Sequence, residues 1–393
     1  MQNFDVVILG AGASGLMCAA QAGKRGRRVV VLDHNTQAGR KVLVSGGGRC
    51  NFTNAQLSAG HYLSHNPHFV KSALSRFNQW DFLSLISEYG IKWHEREHGQ
   101  YFCDESAAQV VDMLLAECRR SSATVMLGTT IHSVERLEDG AFSLHTSRGG
   151  YRCRSLVVAT GGLSIPPLGA SPLGYRIAEQ FGLTVRRPSA GLVPLTLQPQ
   201  DKQRLAPLSG IAVEATVQVE GISFRENVLF THRGLSGPAI LQISNYWQPG
   251  QAVTIDWLPS ASVDEVIGEA REQQPKQQVK TVLTRLLPAR MVAALLPVEL
   301  LDTQLAQLSR KQVELVFRQL HHWQVTPNGT EGYRTAEVTR GGVDCDGISS
   351  KTMECKTVPG LYFVGEVLDV TGWLGGYNLQ WAWSSGWCAG QFA

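Results

Sequence analysis

The stretch that most constrains this chain runs from Phe4 to Asp33, FDVVILGAGASGLMCAAQAGKRGRRVVVLD. Phe4 to Leu9 is a short run rich in branched apolar residues, which suits a buried parallel strand. Gly10, Gly12 and Gly15 follow in G-x-G-x-x-G spacing, and Ala13 and Ser14 open a helix-compatible segment that reaches Arg25. Arg28 to Leu32 is a second apolar strand, and it ends in Asp33. Such a strand–turn–helix–strand unit is built to hold a dinucleotide. Gly10 allows the tight turn, Gly12 lets backbone approach a pyrophosphate, and Gly15 lets the helix pack on the strand. The helix N-terminus offers N–H groups and a positive dipole end to the phosphates. An acid about twenty residues past the glycines accepts the ribose hydroxyls, which is the expectation for Asp33.

Two further glycine-rich stretches point to a flat ligand. After Asp33 comes GRKVLVSGGGRCN, where Arg40 and Lys41 are expected near the phosphates. Ser45, Gly46, Gly47, Gly48, Arg49, Cys50 and Asn51 then form a loop almost without side chains at its centre. Consecutive glycines open conformations closed to other residues, and their N–H groups can cradle an anion. Arg154 to Gly162 is an apolar strand ending in Ala159, Thr160, Gly161 and Gly162, small residues at the strand end where ligands bind in open α/β sheets. Near the end of the chain, Leu361 to Val364 is a strand closed by Gly365 and Glu366. Asp369 and the loop Gly372 to Gly376 follow, and a helix starts at about Asn378.

The middle of the chain reads differently. His61 to Phe102 is aromatic-rich and is expected to be mostly helical. From Leu192 to about Pro259 short strands alternate with turns and enclose FTHRGLSGP at Phe230 to Pro238. Val263 to Leu320 is amphipathic and helical, with a basic character from Arg285, Arg290, Arg310, Lys311 and Arg318. Trp323 to Val343 returns to strands. The expected fold class is α/β, a discontinuous Rossmann-type nucleotide domain carrying an inserted antiparallel β domain and a small helical domain. Its boundaries fall at 1–190, 191–260 (β insertion), 261–322 (helices), 323–343 (return strands of the β domain) and 344–393.

Length and composition agree with that plan and remove several function classes. The 393 residues, 43% hydrophobic and 18% charged, suit two or three globular domains. A net charge of +3 is too mild to argue for nucleic acid by itself. Eight scattered cysteines include no C-x-x-C, so neither a zinc knuckle nor a dithiol centre is expected, and the histidines form no metal-ligand spacing. No basic stretch precedes the first apolar run, and three glycines interrupt it, so a secretory signal and a membrane span are not expected. A cytoplasmic setting is the expectation.

Taken together, GAGASG, GRKVLVSGGGRCNFTN, ATGG, FTHRGLSGP, TRGGV (Thr339 to Val343) and VGEVLDVTGWLGGYNLQWAWSSG (Val364 to Gly386) resemble the YhiN/BaiN-like family, which includes aminoacetone oxidases. These are FAD flavoproteins of the glutathione-reductase structural type, and the resemblance runs nearly end to end. It implies an extended FAD with its pyrophosphate over Gly12 to Gly15, its ribose on Asp33 and its adenine against backbone near Ile131. It places the isoalloxazine near Ser45 to Asn51 and near Gly376, Tyr377, Asn378 and Leu379, where helix N–H groups can stabilise an anionic reduced ring. Candidates to contact substrate or donate a proton are Cys50, His232, Arg233, Tyr333 and Arg334. No second strand–GxGxxG–helix unit lies between Gly162 and Leu361, so NAD(P)H enters only as a transient electron donor and disulfide reduction is disfavoured. The reaction the resemblance favours is reduction of an activated C=C bond, with uridine of large-subunit ribosomal RNA as the substrate. The alternatives are oxidation of a small amine such as aminoacetone, reduction of an unsaturated small molecule, and a flavin-holding RNA-binding protein without catalysis.

Overall fold

Short runs of branched apolar residues make the central sheet. In the computed structural model, which describes residues 1–393, five of them lie side by side in the order Leu361–Phe363, Ser155–Val158, Val6–Leu9, Val29–Leu32 and Thr124–Met126. All four pairings are parallel. Val6–Leu9, Val29–Leu32 and Leu361–Phe363 are buried at every residue, as strands covered on both faces must be. Parallel pairing brings Gly10, Asp33, Ala159 and Val364 to the same edge of the sheet, the crevice edge of an open α/β fold.

Two helices fix that edge. Ala13–Lys24 rises from the glycine turn, and Tyr377–Gly390 lies against it. Glycines on the second helix permit the contact. A Cβ on Gly386 would lie 2.4 Å from the Ser14 carbonyl oxygen, and one on Gly390 would lie 2.8 Å from that of Cys18. The last helix is thereby seated on the residues of the dinucleotide turn.

The stretch from His61 to Phe102 is only half helical. It holds the helices Val70–Arg76 and Gln79–Glu88, then the strands Trp93–Arg96 and Gln100–Cys103, which pair antiparallel and join Asn51–Asn54 in a three-stranded sheet. Gly90 and Gly99, at φ +65° and +72°, end the second helix and turn the hairpin. These strands are four residues long, too short for an alternating pattern to stand out among so many aromatics.

The chain divides into two compact units, Met1–Ala190 with Glu337–Ala393, and Gly191–Ala336. Inside the second unit lies a seven-stranded antiparallel sheet in the order Trp323–Val325, Val253–Asp256, Ala212–Val219, Ile222–Phe230, Gly234–Ser236, Leu195–Thr196 and Gly329–Thr330. The helices from Val263–Gln273 to Arg310–His321 belong to the same unit rather than to a separate domain. The return segment 323–343 also divides. Its last strand, Val338–Val343, pairs with Val185–Gly191, which lies in the first unit up to Ala190, and that unit resumes at Glu337. Backbone approach explains the pairing: a Cβ on Gly341 would lie 2.6 Å from the Arg187 carbonyl oxygen. The expected basic character of residues 261–322 is corrected as well, since eight Lys and Arg there face seven Asp and Glu. No helix is long and apolar enough to cross a membrane.

Candidate FAD site

The three glycines of the turn answer to different neighbours. Gly10 has φ +112°, and a Cβ there would meet the Ala159 carbonyl oxygen at 2.3 Å. A Cβ on Gly15 would meet the Gly10 carbonyl oxygen at 2.0 Å. Both are required by the protein's own packing. Gly12 is not: a Cβ there would have no protein atom within 4 Å. It caps the helix Ala13–Lys24 with no side-chain hydrogen bond and no acidic residue in the first turn. An open glycine before uncapped N–H groups fits a pyrophosphate.

Asp33 has a structural task beside the expected ribose contact. Its Oδ2 accepts from the Ala11 N–H at 2.7 Å and its Oδ1 from the Asn35 N–H at 2.8 Å. The carboxylate therefore ties the second strand's end to the glycine turn and keeps further lone pairs for hydroxyls. Thr129 donates its N–H to the Asp33 carbonyl at 2.8 Å, which brings the segment leading to Ile131 beside the same strand end. The buried Thr129 and Thr160 hydroxyls have no protein partner.

The two remaining glycine loops rest on one support. Gly46, Gly47 and Gly48 all adopt positive φ, and so does Cys50 at +49°. A Cβ on Gly46 would lie 2.8 Å from the Phe102 ring, while one on Gly47 would have nothing within 4 Å. In the second loop, a Cβ on Gly376 would lie 2.4 Å from the Thr53 carbonyl oxygen, and one on Gly375 3.2 Å from Gln100. Asn54 donates to the Gly375 carbonyl at 2.9 Å, and Asn51 donates to Gln100 at 2.8 Å. Asn378 closes the loop on itself, accepting from the Gly372 N–H at 2.8 Å and donating to the Gly372 carbonyl at 2.9 Å. The helix starting at Tyr377 has no side-chain cap and no acid in its first turn, so its N-terminus suits negative charge. The three-stranded sheet that the sequence reading missed is thus the floor under both loops.

Arg40 and Lys41, expected near the phosphates, have partners within the chain. Arg40 donates to the Asn35 side chain at 2.9 Å and to the Pro167 carbonyl at 3.1 Å. Lys41 Nζ meets Glu366 Oε2 at 2.7 Å and Ser164 Oγ at 2.6 Å. Glu366 Oε1 also accepts from the Thr339 N–H at 2.8 Å. This cluster fastens the Gly39–Lys41 turn, the ATGG loop and the Gly365–Glu366 turn together. A Cβ on Gly162 would collide with Thr339 Oγ1 at 2.5 Å, so Gly162 serves this packing, whereas Gly161 has only Glu366 Oε2 at 3.9 Å.

Cys50 is one of the candidates to contact substrate or donate a proton. It is completely buried, and burial first and the neighbouring Cys103 second push its thiol far above the ordinary range. Sequence reasoning also missed His61, whose ring lies 4.7 Å from Trp373 and 4.8 Å from Tyr377, against the second loop. Burial lowers its pKa. No local spacing announces it, because its partners lie more than three hundred positions away.

In the second unit, Thr231 and Gly234 close a tight turn with His232 and Arg233 exposed at its tip. Arg233 Nη1 pairs with Glu331 Oε2 at 3.4 Å. Glu331 directly precedes Gly332, Tyr333 and Arg334, but the backbone sets the two groups at opposite ends of Leu195–Thr196: the Leu197 N–H donates to the Arg233 carbonyl and the Glu331 N–H to the Pro194 carbonyl, and only the Arg233 and Glu331 side chains bridge them.

The chain is 54% identical over 393 residues to "Ribosomal RNA dihydrouridine synthase" of Escherichia coli (strain K12), covering 100% of this chain and 98% of that protein. It is 29% identical over 405 residues to "3-dehydro-bile acid delta(4,6)-reductase" of Clostridium scindens, covering 98% of each. Among solved structures, the 3-ketosteroid-delta4-(5alpha)-dehydrogenase of Rhodococcus jostii RHA1 matches with TM-score 0.50 and 15% identity over 99% of this chain and 96% of that one, a likeness of fold. Residues 4–392 match the model described as "HI0933-like protein Rossmann domain", and the chain belongs to that family.

Proposed function

We propose that this chain is an FAD-dependent oxidoreductase that reduces uridine in large-subunit ribosomal RNA to dihydrouridine. The observation that carries the reading is the full-length 54% identity to a protein of that name. The open Gly12 and Gly47 and the two uncapped helix starts support FAD as the cofactor. When bound and reduced, FAD supplies the hydride.

The chain's own residues do the rest. Gly12, Ala13, Ser14 and Gly15 hold the pyrophosphate, Asp33 the ribose, and the Ser45–Asn51 and Gly376–Leu379 segments the ring. N–H groups at the start of the helix Tyr377–Gly390 stabilise negative charge on the ring edge they face. The uracil C5=C6 bond is conjugated with a carbonyl, so it gains a hydride at one carbon and a proton at the other. We propose that this proton comes from a group other than the Cys50 thiol, which is fully buried. His232, Arg233 and Tyr333 are the proposed substrate contacts. NAD(P)H is the proposed transient electron donor, and an rRNA substrate implies a cytoplasmic setting.

The test is spectroscopic. Anaerobic, photoreduced holoenzyme mixed with unmodified large-subunit rRNA should regain the oxidised flavin spectrum as dihydrouridine forms. A spectrum that stays reduced counts against the reading. The similarity to the bile acid reductase favours a second reading, reduction of a conjugated small molecule, in which an unsaturated ketone and not RNA reoxidises the flavin.

A further inference from the structure

The three-stranded floor extends beyond the loops it supports. Along Trp93–Arg96, residues alternate between its two faces. Trp93 meets Tyr101 at 4.8 Å between ring centroids on one face. His94 and Arg96 lie on the other, with Phe102, the ring beneath Gly46. The Arg96 guanidinium stands 4.2 Å from the Phe102 ring centroid, and the His94 ring is stacked 6.1 Å from it. Arg96 Nε donates to His94 Nε2 at 3.0 Å, so the His94 proton sits on Nδ1 and is donated to Asp104 Oδ1 at 2.6 Å. Arg49, next to the triple glycine, donates Nη1 to the Asp104 carbonyl at 2.7 Å. Arg49 and Arg96 are exposed.

This arrangement is unlike a structural ion pair. Arg96 is held by an aromatic face and by a ring nitrogen of His94 acting as acceptor, with no carboxylate on it. Its charge is left over. The Asp104 carboxylate takes the His94 ring, and Arg49 reaches only the Asp104 backbone carbonyl, so neither guanidinium is paired with that carboxylate; Glu95 alternates to the Trp93 face. The stacked, Nε-anchored Arg96 keeps both Nη groups as a planar fork, the geometry that grips two oxygens of a phosphate.

We propose that Arg96 and Arg49, braced by His94 and Asp104, form a subsite for a backbone phosphate of the RNA strand that presents the uridine. The proposal rests on the RNA reading above and adds where the strand is gripped: on the same sheet face that carries both glycine loops. His94 and Asp104 are positioning residues that hold the two guanidinium groups.

The experiment measures binding of a short fluorescein-labelled single-stranded RNA with one central uridine to holoenzyme at several salt concentrations. Arg96→Ala should weaken binding about tenfold and reduce the slope of log affinity against log salt by about one. Bound FAD and the melting temperature should not change, since Arg96 is exposed. Arg96→Lys should restore the slope but not the full affinity, because the charge returns without the fork. Wild-type affinity and slope in Arg96→Ala, with wild-type enzyme binding RNA and forming dihydrouridine, overturn the subsite and leave the RNA reading intact. A wild-type holoenzyme that neither binds this RNA nor forms dihydrouridine in rRNA overturns the RNA reading, and the subsite with it.

Discussion

Gly12 and Gly15 stand in one motif and are held by opposite constraints. Gly15 has the Gly10 carbonyl where its Cβ would be, while Gly12 has an ordinary φ of −88° and open space. Gly15→Val should therefore destabilise the fold by about 3 kcal/mol or more through overpacking. Gly12→Val should melt like the flavin-free wild type yet purify without flavin. Thermal melts of flavin-free protein and the flavin absorbance of purified protein separate the two; equal loss of stability would contradict the distinction. At this scale the sequence is informative about residue type and spacing and silent about partners. The motif identified Gly10, Gly12, Gly15 and Asp33. Nothing near Asp33 or Lys41 in the chain reveals that the first clamps the Ala11 N–H or that the second is bound to Glu366, far along the sequence.

Elements inherit the same logic through packing. The helix Ala108–Arg120 is fastened by Glu117, which accepts from Tyr89 OH at 2.6 Å and Arg120 at 2.8 Å and pairs with Lys24 at 2.5 Å. Burial alone would raise its pKa, but the hydrogen bonds from Lys24 and Tyr89 and the charges of Lys24 and Arg120 outweigh burial and lower it. A lowered folded-state pKa gives stability that is present above the unfolded value and lost as pH falls through the folded one. Glu117→Gln should cost about 2 kcal/mol at neutral pH. That gap should close in melts taken below the usual carboxylate range; a gap independent of pH would contradict the assignment. Gly386→Leu should force the last helix off Ser14, costing about 3 kcal/mol and lowering flavin content together. Full flavin content in a stable Gly386→Leu protein would show that the seating is not needed. Long periodic helices and fully apolar strands were legible in the sequence. The strands Trp93–Arg96 and Gln100–Cys103 were not, because four-residue elements are specified by pairing and by Gly90 and Gly99 more than by their own pattern.

For the whole molecule, the split of glycine-rich turns between the two ends of the chain disclosed a discontinuous nucleotide fold with an insertion. The point of return was harder to place, since Val338–Val343 has strand composition whichever unit it joins, and its pairing with Val185–Gly191 decides the matter. The chemistry is likewise unevenly written. Glycine loops in the sequence suggest where a cofactor would lie, while the Arg96 guanidinium on the Phe102 ring, the proposed phosphate grip, appears only once the sheet is folded. The central claim, flavin-dependent reduction of rRNA uridine, is tested most directly by nucleoside mass spectrometry of large-subunit rRNA from a strain lacking the gene, complemented with wild-type or Gly12→Val protein. The account predicts that dihydrouridine disappears on deletion, returns with the wild type and does not return with Gly12→Val. Dihydrouridine that persists in the deletion strain, or that the flavin-free variant restores, would contradict it.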